Sequence, residues 1–241
     1  MQFDVVVVGG GPSGATAAHD LALAGKRVAL IDREGRIKPC GGAIPPRLMQ
    51  DFDIGEEQLL AKVNTARMIS PTGRMVDIPI ENGFVGMVDR KDFDPFLRDR
   101  AVNAGAEYFV GTFVRVERDG NDRRVIYREK ASGEERGLDT KLIIGADGAK
   151  SKVARAEIPG ADKVPLVFAY HEIIEAPEKT EVYDPERCDV IYDGKISPDF
   201  YGWVFPHGAS ASVGMGSMVK EVNLKQATAD LRAASGREGC T

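Results

Sequence analysis

The 241-residue sequence lacks several features that mark particular classes of protein. No apolar run approaches the ~20 residues of a membrane-spanning helix, and the N terminus lacks the basic and apolar segments of a signal peptide. The three cysteines are widely separated and odd in number, which argues against a disulfide framework and against a zinc site. The net charge is −5 and the basic residues are dispersed, which argues against nucleic acid as a partner. We therefore expect a cytoplasmic globular protein without a metal centre, and composition leaves a peripheral membrane contact open.

A glycine-rich motif near the start carries the first functional signal. Residues 9–14 read Gly-Gly-Gly-Pro-Ser-Gly, after an apolar run at 5–8 and before an alanine-rich segment. This order predicts a buried strand that turns into a helix, which is the context of a dinucleotide fingerprint. In that reading, Gly9 permits the tight turn, Gly11 lets the backbone approach a pyrophosphate, and Gly14 lets helix and strand pack closely. Pro12 and Ser13 belong to the same predicted cofactor site.

An acidic residue follows at the spacing that the fingerprint requires. A second apolar strand at 27–31 ends at Asp32, eighteen residues after Gly14. A carboxylate at this distance is expected to bind a ribose hydroxyl of the adenosine, with Arg33 beside it. The segment after it, residues 33–46, is rich in glycine and proline and is predicted to be a loop.

A second motif, Gly145-Ala146-Asp147-Gly148, ends the apolar run at 142–144 and precedes Ser151 and Arg155. Taken alone, it would be a strand that ends in an ordinary Asp-Gly turn. Beside the first motif, it resembles the Asp-Gly motif of flavoproteins of the hydroxylase and prenyl-reductase superfamily. The resemblance implies that Gly145, Asp147 and Gly148 contact FAD and that the reduced nicotinamide cofactor passes nearby.

An arginine at a predicted helix start fits the same superfamily. Arg90 precedes apolar residues at 93, 96, 97 and 101, which is the spacing of an amphipathic helix. By resemblance, Arg90 reaches toward the flavin phosphates or ribityl chain. The alternative is a solvated charge at a helix start.

Two longer segments resemble one branch of that superfamily. Residues 38–45 read Lys-Pro-Cys-Gly-Gly-Ala-Ile-Pro, and residues 199–206 read Asp-Phe-Tyr-Gly-Trp-Val-Phe-Pro. Both are similar to signatures of geranylgeranyl reductases, and the first, with residues 83–90 and 168–172, is closest to the bacteriochlorophyll branch. The resemblance implies an FAD-dependent oxidoreductase that uses NADPH to convert a geranylgeranyl tail to a phytyl tail. The substrate would be a geranylgeranylated (bacterio)chlorophyll or geranylgeranyl diphosphate, at or near the photosynthetic membrane.

These segments supply the candidate substrate and catalytic residues. Tyr201, Trp203 and Phe205 alternate along a predicted strand, so their rings should project to one face and bind an apolar tail, unless that face is ordinary core. By resemblance, Cys40 and Gly41 lie near the flavin, and Cys40 either acts in proton or redox chemistry or only fills space. His171 and Tyr201, with His207 as a further alternative, are candidates for the proton donor.

The predicted architecture is α/β with a sheet-rich second part. A Rossmann-like FAD-binding domain with an inserted β-meander is expected over residues 1–158, and part of a substrate-binding domain over 159–241. The family's remaining flavin motif does not occur before Thr241, so we expect a truncated or partial chain. An FAD-dependent aromatic hydroxylase, an archaeal-type ether-lipid prenyl reductase and an inactive flavin-binding fragment are the alternatives.

Overall fold

A computed structural model describes residues 1–35, 40–120 and 122–234. Lys38 and Pro39 of the predicted motif lie outside the described residues. The chain divides into two units, Met1–Ile37 with Lys91–Val164 and Lys38–Arg90 with Pro165–Thr241. No helix within the described ranges is long and apolar enough to cross a membrane.

The elements follow one another along the chain as strands with a few helices between them. In chain order they are β1 (Gln2–Val8), α1 (Pro12–Leu23), β2 (Val28–Asp32), β3 (Ala43–Ile44), α2 (Pro46–Asp51), β4 (Ala61–Val63), β5 (Thr65–Ile69), β6 (Met75–Pro79), β7 (Val85–Met87), α3 (Arg90–Asn103), β8 (Glu107–Asp119), β9 (Asp122–Glu129), β10 (Glu135–Gly145), α4 (Lys152–Glu157), β11 (Phe168–Glu175), β12 (Arg187–Ile191), β13 (Gly202–His207), β14 (Ser210–Ser217) and α5 (Leu224–Ala234).

The strands of the first unit close into a barrel in the order β1-β10-β9-β8-β2. β1 pairs in parallel with both β2 and β10, while β8, β9 and β10 form an antiparallel meander. Alternate residues of β1 enter two different cores, because successive side chains of a strand point to opposite faces. Val6 and Val8 pack with Phe113 and Tyr127, and Val5 and Val7 pack with Ala18 of α1 and its neighbours. Both faces of β1 are therefore buried, as its unbroken valine run requires.

The second unit contains a six-stranded sheet in the order β11-β14-β13-β12-β5-β6 and a three-stranded sheet, β3-β7-β4. The two faces of β14 differ. Val213 and Met215 enter a core with Leu231 of α5, whereas the intervening positions, Ser212 and Gly214, are small and face the other side. This alternation makes room for large side chains from the neighbouring strands on one face of the sheet.

The observed division differs from the predicted boundary between residues 158 and 159, because residues 40–90 group with the C-terminal strands. The reason is the parallel pairing of β5 with β12, two strands more than a hundred residues apart in sequence. Local patterns do not reveal such a pairing. The predicted loop at 33–46 also contains β3 and leads directly into α2, whose start has prolines at 45 and 46.

Candidate functional site

The two glycine motifs lie side by side in the first unit. Val8 and Gly145 are partners in the parallel β1–β10 ladder, and the backbone N–H of Ala146 donates to the Val8 carbonyl at 2.8 Å. A Cβ atom on Gly9, whose φ is +106°, would lie 2.3 Å from the Ala146 carbonyl oxygen. Only glycine allows this approach. The carboxyl ends of two parallel strands thus present both motifs at one edge, which is where open α/β sheets bind nucleotides.

The start of α1 is built to receive an anion. Gly11 is the N-cap residue without a side-chain cap, Pro12 follows inside the first turn, and Ser13 is exposed. A Cβ on Gly14 would lie 1.8 Å from the Gly9 carbonyl oxygen, so the helix packs against the turn at backbone distance. Backbone N–H groups and the positive end of the helix dipole favour a phosphate at such a start. This cradle fits the pyrophosphate of a dinucleotide such as FAD.

Asp32 ties the neighbouring loops together. One carboxylate oxygen accepts the backbone N–H of Gly10 at 2.8 Å, and the other accepts that of Glu34 at 2.9 Å. Each oxygen retains acceptor capacity, so the side chain fits a ribose hydroxyl as predicted. Arg33, also predicted at this site, is exposed beside it. Sequence reasoning missed Arg98, whose guanidinium donates to the Gly10 carbonyl at 3.1 Å from α3. Nothing in its spacing distinguishes it from other helix arginines.

Asp147 organises its own turn. Its carboxylate accepts the Ser151 hydroxyl and the backbone N–H of Lys152, and the Ser151 side chain in turn caps α4 by accepting from Ala154 at 2.8 Å. Arg155 folds back, with its Nε donating to the Ser151 carbonyl at 3.1 Å. The local structure therefore matches the alternative of a strand that ends in an ordinary Asp-Gly turn. The predicted cofactor contacts of Asp147 and Gly148 stay predictions.

The second unit holds an aromatic cavity of about 190 Å³. The ring centroids of Tyr201 and Trp203 are 6.3 Å apart, and those of Trp203 and Phe205 are 6.2 Å apart, so the three rings form one row as their alternation predicts. Val167, Ala169, Tyr170 and Phe200 complete the apolar part of the lining, together with the Cys40–Gly41 loop and His171. The structure thus gathers the predicted substrate and catalytic residues around one space.

The loop at 40–42 packs closely on β13. A Cβ on Gly41 would lie 2.9 Å from the Phe205 ring, and one on Gly42, at φ +71°, would lie 2.5 Å from the Val88 carbonyl oxygen. Close contact with protein therefore accounts for the absence of side chains at both glycines, and the predicted cofactor contact of Gly41 stays a prediction. Cys40 is exposed and borders the cavity. Arg90, at the first residue of α3, is half-buried, and its predicted contact with the flavin stays a prediction.

The titratable groups around the cavity are shifted by burial. Burial lowers the pKa of His171, and the nearby His207 lowers it further. Burial also lowers the pKa of His207 despite its hydrogen bond to the Phe205 carbonyl, and it raises the pKa of Tyr201. Ser212 was not identified from the sequence, yet its buried hydroxyl contacts both His171 and Trp203. Over the described part of the chain, no cluster of three or more His, Cys, Asp or Glu side chains is placed to hold a metal ion.

Comparisons with known proteins agree with these features. A family model described as an FAD binding domain matches residues 2–168. A geranylgeranyl diphosphate reductase of Rhodobacter capsulatus is 64% identical over 98% of this chain and 60% of its own length. The chloroplastic geranylgeranyl diphosphate reductase of Oryza sativa is 39% identical over 99% of this chain and 54% of its own length. The resemblance to geranylgeranyl reductases is thereby confirmed.

A solved structure gives the same result for the fold. A geranylgeranyl bacteriochlorophyll reductase-like protein from Thermoplasma acidophilum superimposes with a TM-score of 0.87 at 25% identity, over all of this chain and 64% of that one.

Among sequence relatives of another kind, a digeranylgeranylglycerophospholipid reductase of Methanocaldococcus jannaschii is 34% identical over 89% of this chain and 55% of its own length. The chain spans 54–64% of the length of these relatives. The predicted Rossmann-like FAD-binding fold is confirmed.

Proposed function

This chain belongs to the family of FAD binding domains, and on that premise we propose a function for it. It is part of an FAD-dependent oxidoreductase that reduces the double bonds of a geranylgeranyl chain. The aromatic cavity carries this proposal. It places Tyr201, Trp203 and Phe205 in a row beside the few polar groups Cys40 and His171. A cavity with an apolar wall and few polar groups suits a hydrocarbon that must be oriented and protonated. The 64% identity to a geranylgeranyl diphosphate reductase supports this substrate over an archaeal ether lipid, for which the identity is 34%.

FAD would be held by the first unit through the cradle described above. The pyrophosphate would lie at the start of α1, and Asp32 would bind a ribose hydroxyl through its remaining acceptor capacity. When bound and reduced, FAD supplies the hydride for the reduction of an alkene. NADPH is the proposed electron donor, and it would approach near Asp147 and Arg155, because a single strand-glycine-helix fingerprint occurs in this sequence.

The cavity would hold a section of the prenyl tail rather than all of it. Its volume of about 190 Å³ is smaller than the pockets of about 300 Å³ or more that enclose drug-sized ligands. Burying the five carbons of one isoprene unit, at about 0.8 kcal/mol each, would contribute roughly 4 kcal/mol to binding. Each double bond would then have to enter the cavity in turn.

The proposed place of the reaction is chlorophyll or bacteriochlorophyll biosynthesis. A chloroplastic relative that is 39% identical supports a photosynthetic pathway. A geranylgeranylated pigment would be presented at a membrane, so the protein would act at the periphery of the photosynthetic membrane.

Incubation of the protein with FAD, NADPH and geranylgeranyl diphosphate tests the proposal directly. Mass spectrometry should show products that have gained two hydrogen atoms per reduced double bond. Trp203→Ala should weaken the binding of the tail by about 2–4 kcal/mol, as truncation of a buried aromatic does, and should leave flavin reduction by NADPH unchanged. Phe52→Ala, which removes an exposed ring outside the cavity lining, is the matched control. Unreduced substrate with flavin-loaded wild-type protein would refute the activity, and equal losses in both half-reactions of Trp203→Ala would return the aromatic row to a core role.

A further inference from the structure

Two side chains of the cavity wall meet at the hydroxyl of Ser212. The indole Nε1–H of Trp203 donates to Ser212 Oγ at 3.1 Å, and Nδ1 of His171 lies 3.0 Å from the same oxygen. Ser212 itself is fully buried in β14. A Cβ on the neighbouring Gly214 would lie 2.4 Å from the Trp203 ring and 2.6 Å from His171 Cβ. The absence of a side chain at Gly214 therefore allows Trp203 and His171 to pack directly against the backbone of β14.

The donors and acceptors at this hydroxyl can be counted. An indole N–H can only donate, so Trp203 occupies one of the two lone pairs of Ser212 Oγ and leaves the second lone pair open to another donor. Nδ1–H of His171 can donate to that lone pair, and Nε2 is then the ring nitrogen that is free to gain and lose a proton. The lowered pKa of His171 favours the neutral ring, because burial disfavours its charged form. The contact is thus compatible with a resting ring that carries its proton on Nδ1.

We propose that His171 is the proton donor for alkene reduction through Nε2, and that Ser212 is the positioning residue that holds its Nδ1. This inference rests on the proposed prenyl reduction. In the step, the Nε2–H bond of the imidazolium breaks and its proton forms a C–H bond at one alkene carbon, while a hydride supplies the electron pair and hydrogen for the C–H bond at the other. The neutral ring that is left keeps its proton on Nδ1, which donates to Ser212 Oγ, and Nε2 takes the next proton from solvent. A cation of lowered pKa is a stronger acid, which suits a weakly basic alkene.

The other candidate donors are placed less well. Nδ1 of His207 donates to the Phe205 carbonyl at 3.1 Å, and a Cβ on Gly42 would lie 2.6 Å from its Nε2. His207 therefore packs against the 40–42 loop and is not among the residues that line the cavity. Tyr201 lines the cavity, but burial raises its pKa and makes it a weaker acid. Cys40 also borders the cavity, so the experiment has to separate its contribution.

Nitrogen NMR of the isotope-labelled protein measures the tautomer of His171 and so tests whether Ser212 holds Nδ1. The chain has only three histidines, so comparison with His171→Gln assigns the signals of His171. We expect a single Nδ1–H tautomer in the wild type and a mixture of tautomers in Ser212→Ala. Ser210→Ala removes a hydroxyl from the same strand that contacts the His207 carbonyl, and it should leave the signals of His171 unchanged. If Ser212→Ala does not fold, Trp203→Phe removes the indole donor, keeps a ring, and should also give a mixture.

Single-turnover reduction of geranylgeranyl diphosphate by dithionite-reduced protein measures the rate of the alkene-reduction step. His171→Gln should slow the step by about 100- to 10,000-fold, the usual contribution of a general acid. Ser212→Ala should slow it by about 10- to 100-fold, with little change in the substrate concentration that gives half of the maximal rate, because orientation is lost. Ser210→Ala should match the wild type, and Cys40→Ala should lose less than His171→Gln. A wild-type rate in His171→Gln, or an unchanged tautomer in Ser212→Ala, would overturn the inference. Failure of the wild type to reduce the tail would instead refute the proposed function, while the spectra would still report the Ser212 contact.

Discussion

Replacing Gly14 by alanine tests whether the first glycine motif is required by contact within the protein. The added Cβ would lie 1.8 Å from the Gly9 carbonyl oxygen, whereas real Cβ contacts are essentially never shorter than 3.0 Å, so the gap must widen by at least 1.2 Å (3.0 − 1.8). The obstructing atom belongs to the backbone, so no side-chain rotation relieves the overlap. The start of α1 has to move away from the β1 turn. We expect a loss of about 3 kcal/mol or more in the free energy of unfolding, at the upper end of overpacking effects, together with a loss of FAD affinity.

The matched control is Gly25→Ala. Gly25 has φ +74° and no neighbouring atom within 4 Å of an added Cβ, so it adds only conformational strain of about 1–2 kcal/mol. Denaturant unfolding of both variants gives the stability, and titration with FAD followed by flavin fluorescence gives the affinity. If Gly14→Ala were no less stable than Gly25→Ala and bound FAD like the wild type, the close packing of α1 on the turn would not be the reason for this glycine.

Three further predictions concern the two sites. Asp32→Ala should weaken FAD binding by about 10- to 100-fold in equilibrium dialysis, because a charged acceptor is worth about 1.5–3 kcal/mol, whereas Asp20→Ala on the exposed face of α1 should not. Gly42→Ala should lower the melting temperature, since an added Cβ would meet backbone at 2.5 Å at a positive φ; an unchanged melting temperature would contradict the tight loop contact. Burial lowers the pKa of His171 and His207, so the unfolded chain binds protons first and the free energy of unfolding should fall as the pH drops below about 6.5. Urea unfolding across pH should show this slope, and a variant with both histidines replaced by glutamine should lose it.

The sequence predicts the first unit well because its signals are local. The strand, glycine turn, helix, strand and acid follow one another within residues 2–32, so the order of the fingerprint is visible in one short segment, although the atom that demands glycine at position 9 belongs to Ala146. The row of Tyr201, Trp203 and Phe205 is equally local, since the period of a strand fixes its face. The meander and the strand before Gly145 were likewise readable from alternation and turn residues.

Other parts depend on contacts between distant segments. The grouping of residues 40–90 with the C-terminal sheet follows from one parallel pairing, which leaves no mark in either strand. Arg98 and Ser212 carry no pattern of their own, because each acquires its role from a partner elsewhere in the chain. The part played by Asp147 in capping α4 was also missed, since the helix is only six residues long and has a weak apolar period.

β14 separates two properties that most core strands combine. Its Val213 and Met215 side anchors the sheet to α5, while its Ser212 and Gly214 side contacts Trp203 and His171, two residues of the cavity wall. A larger side chain at Gly214 would displace both of these residues, because an added Cβ would lie 2.4 Å from the Trp203 ring and 2.6 Å from His171 Cβ. One side of the strand therefore limits the position of the cavity wall, and the opposite side carries the packing of α5.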